Sequence, residues 1–217
     1  MSVLNLKSIV KLEFFLLCIL VPGIIIAMRF APFMFAFLWG ATIYCWFVLR
    51  SSDKPLFRDI WKWREVRWYN LKPMLLRWVF ASIGMYFFML WYDPARLFVI
   101  WFSNPEVIPF LLIGYTVISA LPQEFIFCSF FFSRYERLFK TDRWLVLMSA
   151  LTFAYAHCLY INPVAPTLSF LGGLIFAMTY LKTKSLALVT IEHGLYGNTL
   201  FLIGLGWYFY SGAVPLE

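Results

Sequence analysis

The chain has 217 residues, of which 63% are hydrophobic, 22% aromatic and only 13% charged, with a mean hydropathy of +0.79. A soluble domain of this length could not bury that much apolar surface, and the short alternating segments of a transmembrane barrel are absent. The net charge of +7 is concentrated in blocks between apolar runs, as expected for loops facing anionic headgroups and not for a nucleic-acid surface.

The fold class these features predict is all-α: a polytopic helical membrane protein of seven to eight transmembrane helices, folded as one integral membrane domain over 1–217. Lys7 and Lys11 precede a first span from about Phe14 to Met28. Glu13 interrupts its start and no small-residue cleavage site follows, so the segment reads as an uncleaved span and not a signal peptide. Arg29 and Pro32 mark a turn into span two, Pro32 to Leu49. The segment 50–72 is charged and aromatic (Trp61, Trp63, Trp68, Tyr69) and is expected along the cytoplasmic interface. Span three runs from Pro73 to Tyr92 and stops at Asp93-Pro94.

Glu106 to Ser133 is too long for one straight crossing: at a 1.5 Å rise it would reach about 42 Å, against a hydrocarbon core of roughly 30 Å. Pro122 is expected to break or kink it, since proline lacks an amide donor and crowds the preceding turn. Span five is expected over Trp144 to Tyr160, span six over Thr167 to Leu181 and span seven over Ser185 to Tyr210. The positive-inside pattern then puts the N-terminus, the eight basic residues from Arg50 to Arg77, the four from Arg134 to Arg143, and Lys182 and Lys184 in the cytoplasm. Cys18, Cys45, Cys128 and Cys158 have neither disulfide-framework nor metal-ligand spacing and read as small buried hydrophobes.

Within this apolar frame, Glu124 stands in a run with no basic residue between Arg96 and Arg134. A carboxylate at bilayer depth is costly and normally faces a polar cavity or a partner. His157, Glu192 and His193 lie as deep, and His157 and His193 are the only histidines in the chain. Counted from the cytoplasmic boundaries, Glu124 lies about 15 Å in, His157 about 20 Å and His193 about 12 Å. Three residues remote in sequence are thus expected at one level.

A Glu beside two His in a partly dry cavity is a general acid–base set. Glu124 can take a proton from a water that His157 holds, while His193 donates to a developing oxyanion. The same Glu124, His157 and His193 could instead hold a metal ion, for which Zn²⁺ with an open fourth position is suited, although no HExxH is present. The structural alternative is that each polar group only hydrogen-bonds a neighbouring helix. Gly194 and Gly197 either let helices approach closely or leave room for a substrate backbone.

At three segments, Gln123-Glu124-Phe-Ile-Phe-Cys128, Phe153-Ala-Tyr-Ala-His157 and His193-Gly-Leu-Tyr-Gly197-Asn198, the chain resembles the CPBP family of intramembrane proteases. That family includes the CAAX prenyl-protein endopeptidases and bacterial Abi-type proteins, and its motifs are EExxxR, FxxxH and HxxxN. The likeness covers about 105–210, the expected protease-like core. Gln123 replaces the first Glu of the family pair, Cys128 the Arg, and Gly197 the Asn, with Asn198 one residue later. The resemblance implies Glu124 as the base with Glu192 as its substitute, and His193 with Asn198 or Gln123 at the oxyanion.

The function this implies is an intramembrane endopeptidase that cleaves a membrane-associated protein or peptide with a Glu/His-activated water. Alternatives are a non-catalytic membrane immunity or binding protein on the same scaffold, and a proton-coupled transporter, which also uses intramembrane Glu and His. The expected location is a bacterial inner membrane with the N-terminus cytoplasmic, and the expected partners are the lipid bilayer and the polypeptide substrate, with no nucleic acid.

Overall fold

The computed structural model describes residues 3–51 and 59–209. Part of the expected interfacial segment, 52–58, and the last residue of the expected core, 210, lie outside the described residues. Among the described residues there is no strand, and the chain is an all-α polytopic membrane protein. Six helices are long and apolar enough to cross a bilayer: Ser8–Ala27, Ala31–Arg50, Trp68–Tyr92, Pro105–Leu138, Val164–Thr183 and Leu186–Ile203.

The expected fifth span is carried by a 16-residue helix, Asp142–His157, extended by the 3-10 turn Cys158–Tyr160. Thr141 caps its start, accepting from the Trp144 amide. At 1.5 Å per residue the helix is about 24 Å long, and the 3-10 turn adds about 6 Å, which together match the hydrocarbon thickness. The third span also starts earlier than expected, at Trp68, with Pro73 inside it.

Prolines shape two of the crossings. Pro122, expected to break or kink the long run, leaves it continuous, and the backbone widens on both sides of it. A π-helical stretch, Tyr115–Ala120, runs directly into the α turn Leu121–Glu124, and a second, Phe125–Phe130, follows it. The wide turn shifts the carbonyl that the proline ring would strike and accommodates the missing donor. The first span repeats the device, with a π turn at Leu16–Leu20 just before Pro22. Gln123 and Glu124 therefore sit on one tight turn between two wide ones.

Leu186–Ile203 is the hub of the bundle. About 67% of its apolar stretch is buried, against 6% for Ser8–Ala27 and 11% for Ala31–Arg50, so the first hairpin forms the loose flank. The hub packs on Trp68–Tyr92, on the wide turn Tyr115–Ala120 and on Val164–Thr183. At its start the Ser185 hydroxyl accepts from the Leu188 amide and donates to the Trp61 carbonyl at 2.9 Å. Amides of Leu186 and Ala187 bond the carbonyls of Ile60 and Trp61.

At the hub's far end Gly204 turns the chain with φ +111°, where a Cβ would strike the Arg96 carbonyl. Asp93 then joins distant parts of the chain: it accepts from the Tyr208 hydroxyl at 2.6 Å and pairs with Arg96, whose guanidinium lies 4.7 Å above the Trp207 ring. The Tyr208 hydroxyl first, and Arg96 with it, hold the Asp93 carboxyl below the usual carboxylate range against the opposing effect of burial. On the other side of the bundle Arg134 grips Glu13 with two bonds of 2.8 and 2.6 Å, and Tyr135 adds a third at 3.3 Å. That clamp ties the loose hairpin to the core.

Candidate active site

The turn Leu121–Glu124 points Glu124 at the hub, where His193 Nδ1 lies 2.7 Å from its Oε1. Both side chains are buried, Glu124 at 1% exposure and His193 at 5%. The opposite ring nitrogen, Nε2, lies 2.9 Å from the Tyr115 hydroxyl. Glu124, His193 and Tyr115 therefore form one hydrogen-bonded chain through the imidazole. The Phe176 ring, stacked on His193 at 4.5 Å between centroids, fixes the plane of that imidazole.

Sequence reasoning did not find Tyr115. Its ring occupies the space that a side chain at Gly197 would need, which allows the wide turn Tyr115–Ala120 to approach the hub closely. Gly194 serves the same approach against Thr116. Both glycines serve close helix approach, and Gly197 also borders a cavity.

His157 ends its short helix with Nδ1 2.8 Å from the Phe153 carbonyl. A carbonyl only accepts, so Nδ1 carries the proton and Nε2 is left as an acceptor. Among the described residues that Nε2 has no bonding partner. Both imidazoles pack against the Phe153 ring, at 4.5 Å for His157 and 5.7 Å for His193. They line one cavity of about 810 Å³ together with Tyr115, Tyr196 and Gly197, bounded by Trp68–Tyr92 and Val164–Thr183. Glu124 does not line this cavity, since His193 stands between them.

The remaining predicted site residues lie apart. Gln123 donates to the Ser119 hydroxyl at 2.8 Å and keeps a buried amide oxygen without a partner. Asn198 donates to the Leu112 carbonyl at 3.0 Å and the Thr116 hydroxyl at 3.4 Å, so it ties two helices together away from the imidazoles. One residue of helix turns the side chain by about 100°, and Glu192 accordingly faces away from His193. It is fully buried and accepts from Arg77 at 2.7 Å, while Arg77 also donates to Thr179 at 3.1 Å. Arg77, which the charge pattern places with the cytoplasmic basic block, is the counter-ion of Glu192 inside a span.

A metal does not fit these residues. Among the described residues no three His, Cys, Asp or Glu side chains stand where they could share an ion. Both nitrogens of His193 are already engaged, by Glu124 and Tyr115.

Fold and site together define a helical membrane protein with a buried Glu–His–Tyr chain and a second imidazole on one intramembrane cavity. Over residues 105–199 the sequence matches the Rce1-like family, described as type II CAAX prenyl endopeptidase. The resemblance drawn from the three motifs is thereby shown for that segment, and it supports a CAAX-type intramembrane protease in general terms. The matched stretch contains Tyr115, Glu124, His157, His193 and Asn198 and leaves out the first three spans. No curated protein and no solved structure matches the chain.

Proposed function

We propose that the chain is an intramembrane endopeptidase acting on a membrane-anchored polypeptide of the CAAX class, with roles divided between its two histidines. The observation that carries this is the cavity shared by His157 and His193, with Glu124 and Tyr115 bonded to opposite sides of the His193 ring. His157 Nε2, a free acceptor, takes the proton of a water as its oxygen attacks the scissile carbonyl. The tetrahedral oxyanion accepts a hydrogen bond from the Tyr115 hydroxyl, whose oxygen takes one from the His193 Nε2–H while Glu124 holds the other ring nitrogen. The imidazolium of His157 then gives its proton to the leaving amine as the C–N bond breaks. In this scheme Glu124 orients His193 and is not itself the base. The expectation from sequence had given it the water.

The test is cleavage of a prenylated CAAX peptide by the purified chain in lipid vesicles. His157→Ala is expected to lower the rate at least about 100-fold, the scale of general base catalysis. Glu124→Gln and His193→Ala should lower it by about 100-fold, as for loss of an oxyanion donor. Full activity in either His157→Ala or Glu124→Gln would overturn the assignment.

A second reading, a non-catalytic membrane binding or immunity protein, is favoured by Gln123 standing where the family carries a carboxylate. It requires that the natural chain cleave nothing and that Gln123→Glu with Cys128→Arg create activity. The distribution of Lys and Arg supports a cytoplasmic N-terminus, and the resemblance to a family that includes bacterial Abi-type proteins supports a bacterial inner membrane.

A further inference from the structure

The cavity of about 810 Å³ that holds both imidazoles has a side toward the bilayer. Two helices frame that side, Trp68–Tyr92 and Val164–Thr183, each packed on Leu186–Ile203. Among the described residues one hydrogen bond joins the two helices directly, from Arg77 to Thr179 at 3.1 Å. Further along, Met89 and Val164 share an apolar cluster, with Leu168 packed against it. Between these ties the second helix runs about 16 Å, from Leu168 to Thr179. There Gly84 and Met85 line the cavity from one helix, and Leu171, Ile175 and Met178 line it from the other.

This stretch stands at hydrocarbon depth. Val164–Thr183 has 20 residues, about 30 Å, which just spans the core. Leu171 and Met178 lie about 10 Å and about 7 Å from its two ends. Both are exposed, by 52% and 45%, although they line the cavity. Gly84 is exposed on the other helix, and nothing outside its own helical turn comes within 4 Å of the place of its Cβ. Residues that are cavity wall and lipid-facing surface at once mark a window. Water is held in a cavity only where it finds about two to four polar partners, and none of the five rim side chains offers a donor. A hydrocarbon chain needs none, and it gains dispersion contacts with both rims.

We infer that an acyl chain of a bilayer phospholipid enters the cavity through this window. It reaches the buried rings of Phe176 and Tyr196, 5.7 Å apart, beside His193. The headgroup stays outside, because no Lys, Arg, Asp or Glu lines the cavity to receive it. The inference does not rest on the hydrolytic reading. It adds to that reading a dependence on lipid, since whatever is cleaved must first displace the chain.

The experiment is photo-labelling of the full chain in nanodiscs of phosphatidylcholine with a diazirine midway along one acyl chain, the adducts being located by mass spectrometry. Adducts are expected on the buried Phe176 and Tyr196 as well as on the exposed Phe110 and Ile113 of the Pro105–Leu138 crossing. The same diazirine placed on the headgroup should leave Phe176 and Tyr196 unlabelled. Gly84→Trp sets a ring in the window and should lower the inner labelling at least about tenfold, the scale of an overpacked contact. Labelling of Phe110 and Ile113 should stay as it was, which also reports that the variant is folded. Gly40→Trp, equally unobstructed but on the first hairpin, should leave both patterns unchanged. Adducts confined to Phe110 and Ile113, inner labelling from the headgroup probe, or inner labelling that survives Gly84→Trp or falls as far with Gly40→Trp would overturn the inference. Cleavage is not read at any point, so failure here leaves the protease proposal standing, and failure of that proposal leaves this one standing.

Discussion

Tyr115 shows how one side chain can depend on an absence elsewhere. Its hydroxyl reaches His193 only because Gly197 offers no Cβ in the path of the ring. Gly197→Ala is therefore expected to displace Tyr115 and to destabilise the fold by about 1–3 kcal/mol, the usual cost of overpacking. Tyr115→Phe keeps the ring and should cost only about 1 kcal/mol, that of one net hydrogen bond. Thermal unfolding of the two variants in detergent separates these cases, and equal losses would show that the ring is not wedged against the hub. At this scale Glu124 and His193 were legible because a carboxylate and an imidazole are rare in apolar runs. Tyr115 was not, since it is one of 12 tyrosines and carries an amphipathic ring unremarkable in any span. Gly197 was noticed in sequence, but the ring that needs it could be seen only once the helices were packed.

Among the elements, the Trp68–Tyr92 helix departs furthest from its sequence reading. Pro73 looked like a boundary, yet the helix begins five residues before it. Arg77 consequently lies about 14 Å along a crossing, where it neutralises Glu192. The charge count had no means of separating one intramembrane arginine from the basic block that ends beside it. Removing Arg77 leaves Glu192 buried and unpaired, so Arg77→Leu should destabilise by about 3 kcal/mol. The double variant Arg77→Leu with Glu192→Leu should recover most of that loss, because two apolar side chains replace the pair. Chemical denaturation in mixed micelles would measure both, and a double variant no better than the single would show that the pair does more than cancel charge. The long Pro105–Leu138 crossing was legible in length and in the position of its proline. Its wide turns were not, because a π turn has no residue signature of its own.

At the level of the whole molecule, class and membrane character follow from composition alone, while the packing of the crossings around Leu186–Ile203 does not. Its central place rests on small residues and on polar caps whose partners are far away in sequence, Ser185 with Trp61 and Asp93 with Tyr208. The second of these gives a pH dependence. The Asp93 carboxyl is held below its ordinary value when folded, so its stabilisation is present above the unfolded pKa of about 3.9 and is lost as pH falls through the folded value. The gap in unfolding temperature between the natural chain and Asp93→Asn is expected to be constant near neutrality and to close as the pH is taken well below 4. A gap that persisted in acid would assign the contact to shape and not to charge.

The short helix Asp142–His157 has one last consequence. It ends at its histidine, with the 3-10 turn to Tyr160 completing the crossing, and the ring is held by the helix's own backbone one turn back. Substitutions in neighbouring helices should therefore leave the tautomer of that imidazole unchanged.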